Sequence, residues 1–221
     1  MIDVIVLTYT KNLHFYGLTC RTINSLLANN QLDFNIIVVE TNKTDTTYPY
    51  PNCTVLVPTE EFNYNKFLNI ALQFCKNKYV LICNNDLYFA QNSVKNLIDA
   101  MELYDVPSAS PHEPNWHASR LTEEEKSKEI VYGFEVEKIV TGWCICMRRD
   151  LLQTIGSFDE SFKFWYQDDD YAMSLQKHGL KHILVNSSHV YHELSQSHGL
   201  IENKDGMTHN LKKIFFEKWL Q

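Results

Sequence analysis

Three aspartates stand in a row at Asp168, Asp169 and Asp170, directly after the aromatic run Phe164, Trp165 and Tyr166. The helical pattern over 166–178 turns each residue about 100° from the last, so the three carboxylates point three ways. Two readings are open. The helix dipole and capping favour acids at a helix start, which accounts for a solvated cluster. Alternatively, one of the three faces a cleft, where a carboxylate can take a proton from a hydroxyl as a general base. A second candidate is Asp86, which follows Asn84 and Asn85. Such hard oxygen ligands suit Mg2+ or Mn2+, ions that bridge protein carboxylates and a diphosphate. Asn-Asn-Asp also favours turns that hold no ligand. His192 adds an imidazole, which is a good Mn2+ ligand and equally an ordinary hydrogen-bonded structural group. His189, His192 and His198 lack the spacing of a zinc motif.

These residues need elements to hold them. The runs DVIVLTY (3–9), FNIIVVE (34–40), CTVLVP (53–58) and KYVLICNND (78–86) read as strands, the first two as strands buried on both faces. Between and after them, 18–29, 63–76 and 91–103 read as helices with apolar stripes. TNKTDTTYPYPN, after the second strand, is a polar loop broken by two prolines. The β-α-β alternation predicts an α/β fold with a mostly parallel central sheet flanked by helices. Ligands in such sheets bind beyond the carboxyl ends of the strands. Thr8-Tyr9-Thr10, Glu40-Thr41-Asn42 and Asn84-Asn85-Asp86 are the polar ends of three apolar strands, and all should open on one rim.

The second half is less regular. Residues 105–120 carry three prolines and read as a long loop over the site, with Trp116 and His117 as candidate acceptor contacts. Thr122 and Glu125 form a capping pattern for a short helix over 121–129. Residues 136–147 read as strand interrupted at Gly142-Trp143, 181–192 as one or two strands, and 207–220 as a last helix. That helix carries Leu211, Ile214, Phe215 and Trp219 on one side and lysines on the other. Such a stripe suits packing on the core, another domain or a subunit, and also a peripheral membrane contact.

With 221 residues, 44% hydrophobic and 21% charged, the chain can bury a sizeable core, and one domain is the expected count. The net charge of −7 and the lack of a basic run argue against a nucleic-acid partner. No stretch reads as a transmembrane segment or signal peptide. The six cysteines lie mostly in apolar runs without a C-x-x-C pair, as expected of buried thiols in a reducing compartment, with the cytoplasm as default.

Taken together, the chain resembles a family 2-type nucleotide-sugar glycosyltransferase of GT-A fold, with a likeness to rhamnosyltransferase-like members. VIVLTYT, IIVVETNKTD and YVLICNNDLYF resemble the family's opening strand, its acidic nucleotide-binding strand end and its D-x-D region. VTGWCICMRRDLLQTIGSFDESFKFWYQDDDYAMSLQKHG follows the pattern of glycine, arginine pair, FDE and then EDxD opening a helix. HVYHE stands where the family places a metal-completing histidine, and the whole likeness runs from about residue 2 to 198. Residues 1–103 would then be a nucleotide-binding half and 104–221 an acceptor and catalytic half of one domain.

The resemblance implies roles. Thr8, Tyr9 and Glu40 would hold the base and ribose, Asn69 the nucleotide side, and Lys66 the phosphates. Asp86 and His192 would hold Mn2+ or Mg2+ against the diphosphate, with Asn84 and Asn85 lining the donor. Gly142 and Trp143 would line the sugar and acceptor side, and Asp168 matches the catalytic base. Gly179 and Asp170, placed on the pattern, fix that count in favour of Asp168 over Asp169. The implied reaction is inverting transfer from a UDP- or dTDP-sugar to a glycan, a lipid-linked sugar or another hydroxyl acceptor. Two positions depart from the family: Asn84 begins the D-x-D triplet and Gln167 begins EDxD. They keep open a non-catalytic domain that binds nucleotide-sugar or glycan. A nucleotidyltransferase is disfavoured, because TYTKNLHFYGLT has one glycine where a phosphate loop needs several.

Overall fold

A computed structural model describes residues 1–43, 48–193 and 204–220, with side chains from 210 onward in the last segment. Residues 44–47 of the polar loop and the end of the resemblance at 194–198, with His198, lie outside the described residues. In chain order the elements are β1 (Ile2–Thr8), α1 (Leu13–Asn29), β2 (Phe34–Glu40), β3 (Cys53–Leu56), α2 (Tyr64–Leu72) and β4 (Tyr79–Asn84). Then come β5 (Leu87–Phe89), α3 (Ser93–Leu103), β6 (Ser108–His112), α4 (Pro114–His117), α5 (Glu123–Ser127) and β7 (Ile130–Tyr132). The chain continues with β8 (Cys144–Arg148), α6 (Leu151–Ile155), α7 (Gln167–Lys177), β9 (His182–His192) and α8 (Lys204–Trp219).

The strands form one sheet in the order β3-β2-β1-β4-β8-β6-β9-β5, with β7 on β9. It is parallel across β3, β2, β1 and β4 and mixed beyond, where β8 runs antiparallel to β4 and β6. The apolar runs of β1 and β2 are continuous because both faces are covered. Val4, Val6, Ile36 and Val38 pack with Ile23 and Leu26 of α1 and Leu97 of α3. Ile5, Leu7, Ile37 and Val39 face the other way, onto Phe67 and Ala71 of α2 and Leu175 of α7. Two packed layers of helices thereby pin the sheet, which is an α/β fold.

Two expectations change, and of the settings open to the final helix one is met. Residues 105–120 hold more than a loop, since β6 lies inside the sheet between β8 and β9. Its pairing to β8 stops at Ala109, so Pro111, which has no N–H to donate, falls where β6 pairs only with β9. Residues 133–143 are loop, and strand resumes only at Cys144. The final helix turns its stripe inward: Leu211 is buried, and Phe215 packs on Phe162 and Tyr166. No helix of the described residues is long and apolar enough to cross a membrane. The expected capping box is present, with Thr122 and Glu125 exchanging side-chain and backbone bonds. All six cysteines are unpaired, and Cys20 and Cys53 are only half-buried.

Candidate active site

A cleft of about 740 Å³ opens over the carboxyl ends of β1, β2 and β4. Leu7, Thr8 and Tyr9 line it from β1, Thr41 from β2, and Asn84, Asn85 and Asp86 from β4. Parallel pairing sets these ends level, with Thr8 opposite Glu40 and Leu7 opposite Asn84. The hydroxyls of Thr8, Thr10 and Thr19 interlock at 2.8–3.0 Å, and the Asn85 amide donates to Thr8 and Thr19. Glu40 does not itself line the cleft. Its Oε1 accepts from the backbone N–H groups of Thr10 and Asn42, so it holds the rim that carries Tyr9 and Thr41.

Asp86 is 5% exposed. His192 reaches it from far along the chain because β5 pairs antiparallel with β9, setting Leu87 opposite His192, while Glu193 N–H donates to the Asp86 carbonyl. His192 Nε2 lies 3.2 Å from Asp86 Oδ1 without the alignment of a hydrogen bond. Asp86 Oδ1 and His192 Nδ1 have no hydrogen-bond partner among the described residues, and Trp143 stacks on the imidazole at 5.3 Å. A buried, unsatisfied carboxylate oxygen beside an imidazole nitrogen is costly unless something fills the site. The pair fits Mn2+ by ligand chemistry, with the rest of the shell left to ligand oxygens and water. No cluster of three or more acidic, histidine or cysteine side chains able to hold an ion occurs among the described residues.

At the other end stands Asp168. Tyr166, in the left-handed region at φ 64°, caps α7 without a side-chain bond, so the first-turn N–H groups are left to the acids. The three aspartates divide as their helical positions require. Asp170 turns away and accepts from Trp219 Nε1 at 2.7 Å, with Lys218 Nζ also at 2.7 Å. Asp168 and Asp169 line the cleft. Burial, then the charges of Asp169 and Glu137, pushes the Asp168 carboxyl up to about 6, against the pull of backbone N–H groups. Gly142 makes room for it: a Cβ there would lie 2.6 Å from Asp168 Oδ2 and 3.0 Å from its Cβ. No real Cβ fits at that distance, so the loop needs glycine for close approach.

The fold thus brings Thr8, Tyr9, Asn84, Asn85, Asp86, Gly142, Trp143, Asp168 and His192 to one cleft. Lys66 and Asn69 fall outside its lining. Lys66 Nζ sits 3.8 Å from Glu60, and Asn69 exchanges hydrogen bonds with the Phe158 backbone, tying α2 to the segment before α7. His117 is corrected as well. It is fully buried, stacked on His112 and bonded to the carbonyls of Glu113 and Lys138, whereas Trp116 does line the cleft. Several lining residues were not singled out as site residues from the sequence: Phe62, Tyr64, Glu137 and the aromatic run before Asp168. Burial and the nearby Asp168 charge push the Tyr64 phenol well above its ordinary value. Only the 164–166 run left a signal in the sequence, as aromatic residues beside clustered acids.

A parallel half-sheet with its cleft at the strand ends, joined to a mixed half-sheet that delivers a carboxylate and a histidine, is the GT-A fold. The chain matches the family model for glycosyl transferase family 2 over residues 3–156. It belongs to that family. No curated protein matches it. Similar solved structures include the mannosyltransferase PcManGT from Pyrobaculum calidifontis in complex with GDP-Man and Mn2+. That match has TM-score 0.68 at 19% identity, covering 89% of this chain and 57% of the other. S. aureus TarS 1-349 gives 0.61 at 18%, covering 86% and 60%. GalNAc-T7 with UDP, GalNAc and Mn2+ gives 0.72 at 11%, covering 99% and 49%. The chain therefore spans about half to three-fifths of those chains.

Proposed function

We propose that the chain transfers a sugar from a UDP- or dTDP-linked donor to a hydroxyl of a glycan or lipid-linked sugar, with inversion at the anomeric carbon. The observation that carries this reading is Asp168, a cleft carboxylate raised to about 6 and set by Gly142. A base poised there is ionised at neutral pH yet basic enough to accept a proton as the acceptor oxygen attacks. The acceptor oxygen bonds to the anomeric carbon as the bond to the nucleotide phosphate breaks on the opposite side. One base and one displacement give inversion.

Asp86 and His192 would hold Mn2+ or Mg2+, and such an ion, when bound, supplies positive charge to the departing diphosphate. Thr8, Tyr9, Asn84 and Asn85 would meet the nucleoside and donor sugar, and Gly142 and Trp143 the sugar side. Glu40 acts at one remove through the rim it holds. The six unpaired cysteines support a reducing, cytoplasmic location.

The test is Asp168→Asn, assayed for transfer and for thermal stabilisation by UDP, dTDP, GDP and CMP with Mn2+ or with chelator. Transfer should fall about a thousandfold while nucleotide stabilisation stays. Comparable transfer by the variant sinks the assignment. Asn84 and Gln167, standing where the resemblance places acids, support a second reading as a non-catalytic binding domain. Wild-type protein that binds nucleotide without transfer or donor hydrolysis would establish it.

A further inference from the structure

The cleft has an unusual charge for a site that meets phosphates and sugars. Its lining carries the carboxylates of Asp86, Glu137, Asp168 and Asp169, and no lysine or arginine among the described residues. Of the cations nearby, three face carboxylates and two lie over lining rings. Lys66 faces Glu60, Lys138 pairs with Glu125 at 2.9 Å, and Lys218 is held by Asp159 and Asp170. Arg120 covers the Trp116 ring at 3.4 Å, and Lys11 lies over Phe15 at the strand-end half.

Beside Asp168 the walls are aromatic. Phe62 meets Phe164 at 6.0 Å, and Phe164 meets Trp165 edge-on at 4.8 Å. Trp116 is fixed by its Nε1, which donates to the Glu137 carbonyl at 2.6 Å. Phe62 is 43% exposed, a large ring left open to the cleft mouth. Rigid aromatic faces interleaved with carboxylates suit the apolar faces and hydroxyl donors of a sugar. They disfavour an anion, which would shed water against like charge with no lysine or arginine among the described lining residues to pair it.

We propose that the acceptor is an uncharged carbohydrate lying on the Phe62–Phe164–Trp165 wall, and that Glu137 and Asp169 exclude acidic sugars from it. This rests on the glycosyl-transfer reading and names the substrate class of that same site.

The test is a glycan array of matched neutral and uronic-acid oligosaccharides, probed with the full chain alone and with UDP and Mn2+. Retained glycans should be neutral, and Trp165→Ala should weaken them about tenfold. Phe62→Ala, at a more exposed ring, gives the same direction should Trp165→Ala misfold. Glu137→Gln with Asp169→Asn should bring the uronic-acid partners onto the array. Retention of acidic glycans by the wild type, or of no neutral glycan, overturns the proposal. The thermal shift with nucleotide separates the two readings. A shift with acidic glycans retained sinks only the acceptor class, and neutral glycans retained without a shift sink only the transfer reaction.

Discussion

At the β1–β2–β4 end of the cleft, ladder hydrogen bonds and the Thr8–Thr10–Thr19–Asn85 network fix each polar group within a residue or two of a buried strand. At the α7 end the ties run between side chains and loops rather than along strands. Asp168 is placed by a left-handed cap at Tyr166, by a loop glycine at 142 and by a helix, α8, whose Trp219 reaches Asp170 from 49 residues away. The amides of Asn63, Asn65 and Asn69 further tie the carbonyls of residues 158–160 to α2. One end is preorganised by the sheet; the other is assembled from side chains that must each hold their place. Damage should therefore separate, with binding failing at the first end and turnover at the second.

The sharpest break is Asp86→Ala. It removes the carboxylate of the proposed metal pair, so the Mn2+-dependent part of nucleotide stabilisation should vanish and transfer should fall at least ~100-fold. Unchanged Mn2+ dependence in the thermal shift would remove Asp86 from the metal site. Gly142→Ala attacks the other end. The new methyl has to displace the Asp168 carboxylate, and a shift of about 1 Å is enough for roughly a 100-fold drop in kcat. Nucleotide stabilisation should hold. A matching loss of nucleotide stabilisation would mean the two ends are not independent.

Lys218→Met tests the assembled end from a distance. It leaves Asp170, at 5% exposure, with only the Trp219 N–H. Lys218 itself is a third exposed, so solvent discounts the loss to about 2 kcal/mol, a Tm drop of about 4–8 °C. Transfer should fall a few-fold through the first turn of α7, with nucleotide stabilisation unchanged. No change in Tm would mean α8 does not hold that turn.

The same contrast governs what could be read in advance. Strands one, two and four were legible because strands covered on both faces are unbroken apolar runs, and their polar ends follow by register. Asp86, Asn84 and Thr8 came with them. β6 was hidden by Pro107, Pro111 and Pro114, which carry a loop signature into a strand that tolerates one proline at a single-sided position. The approach of His192 to Asp86 rests on β5–β9 pairing across a hundred residues, so the residues alone left His192 open between ligand and structural histidine. Its expected role came from the resemblance. The roles of Asn69 and Lys66 came from the resemblance alone, and in the fold Asn69 bonds the Phe158 backbone while Lys66 faces Glu60, both outside the cleft lining. The docking of Lys218 and Trp219 on Asp170 left no trace in spacing, since that contact exists only once α8 has folded back.

The smallest effect is also the most diagnostic of the assembled end, because it should run opposite to activity. Asp168 in the folded chain titrates near 6, above the ordinary aspartate value of 3.8. Between those values the folded state binds more protons than the unfolded one, so stability falls as pH rises through that window. Above about pH 7 the wild type carries the full penalty of a half-buried charge near Asp169 and Glu137, already lightened by the backbone N–H groups at the start of α7. Asp168→Asn removes that penalty, which contact with water discounts to about 1 kcal/mol. Its Tm should exceed that of the wild type by about 2–4 °C at pH 8. The difference should close as pH falls toward 4, while wild-type transfer rises from pH 5 and levels above 6. A variant less stable than the wild type at pH 8 would mean that Asp168 is held as a charge by its neighbours, which makes it a structural cap and a poor base.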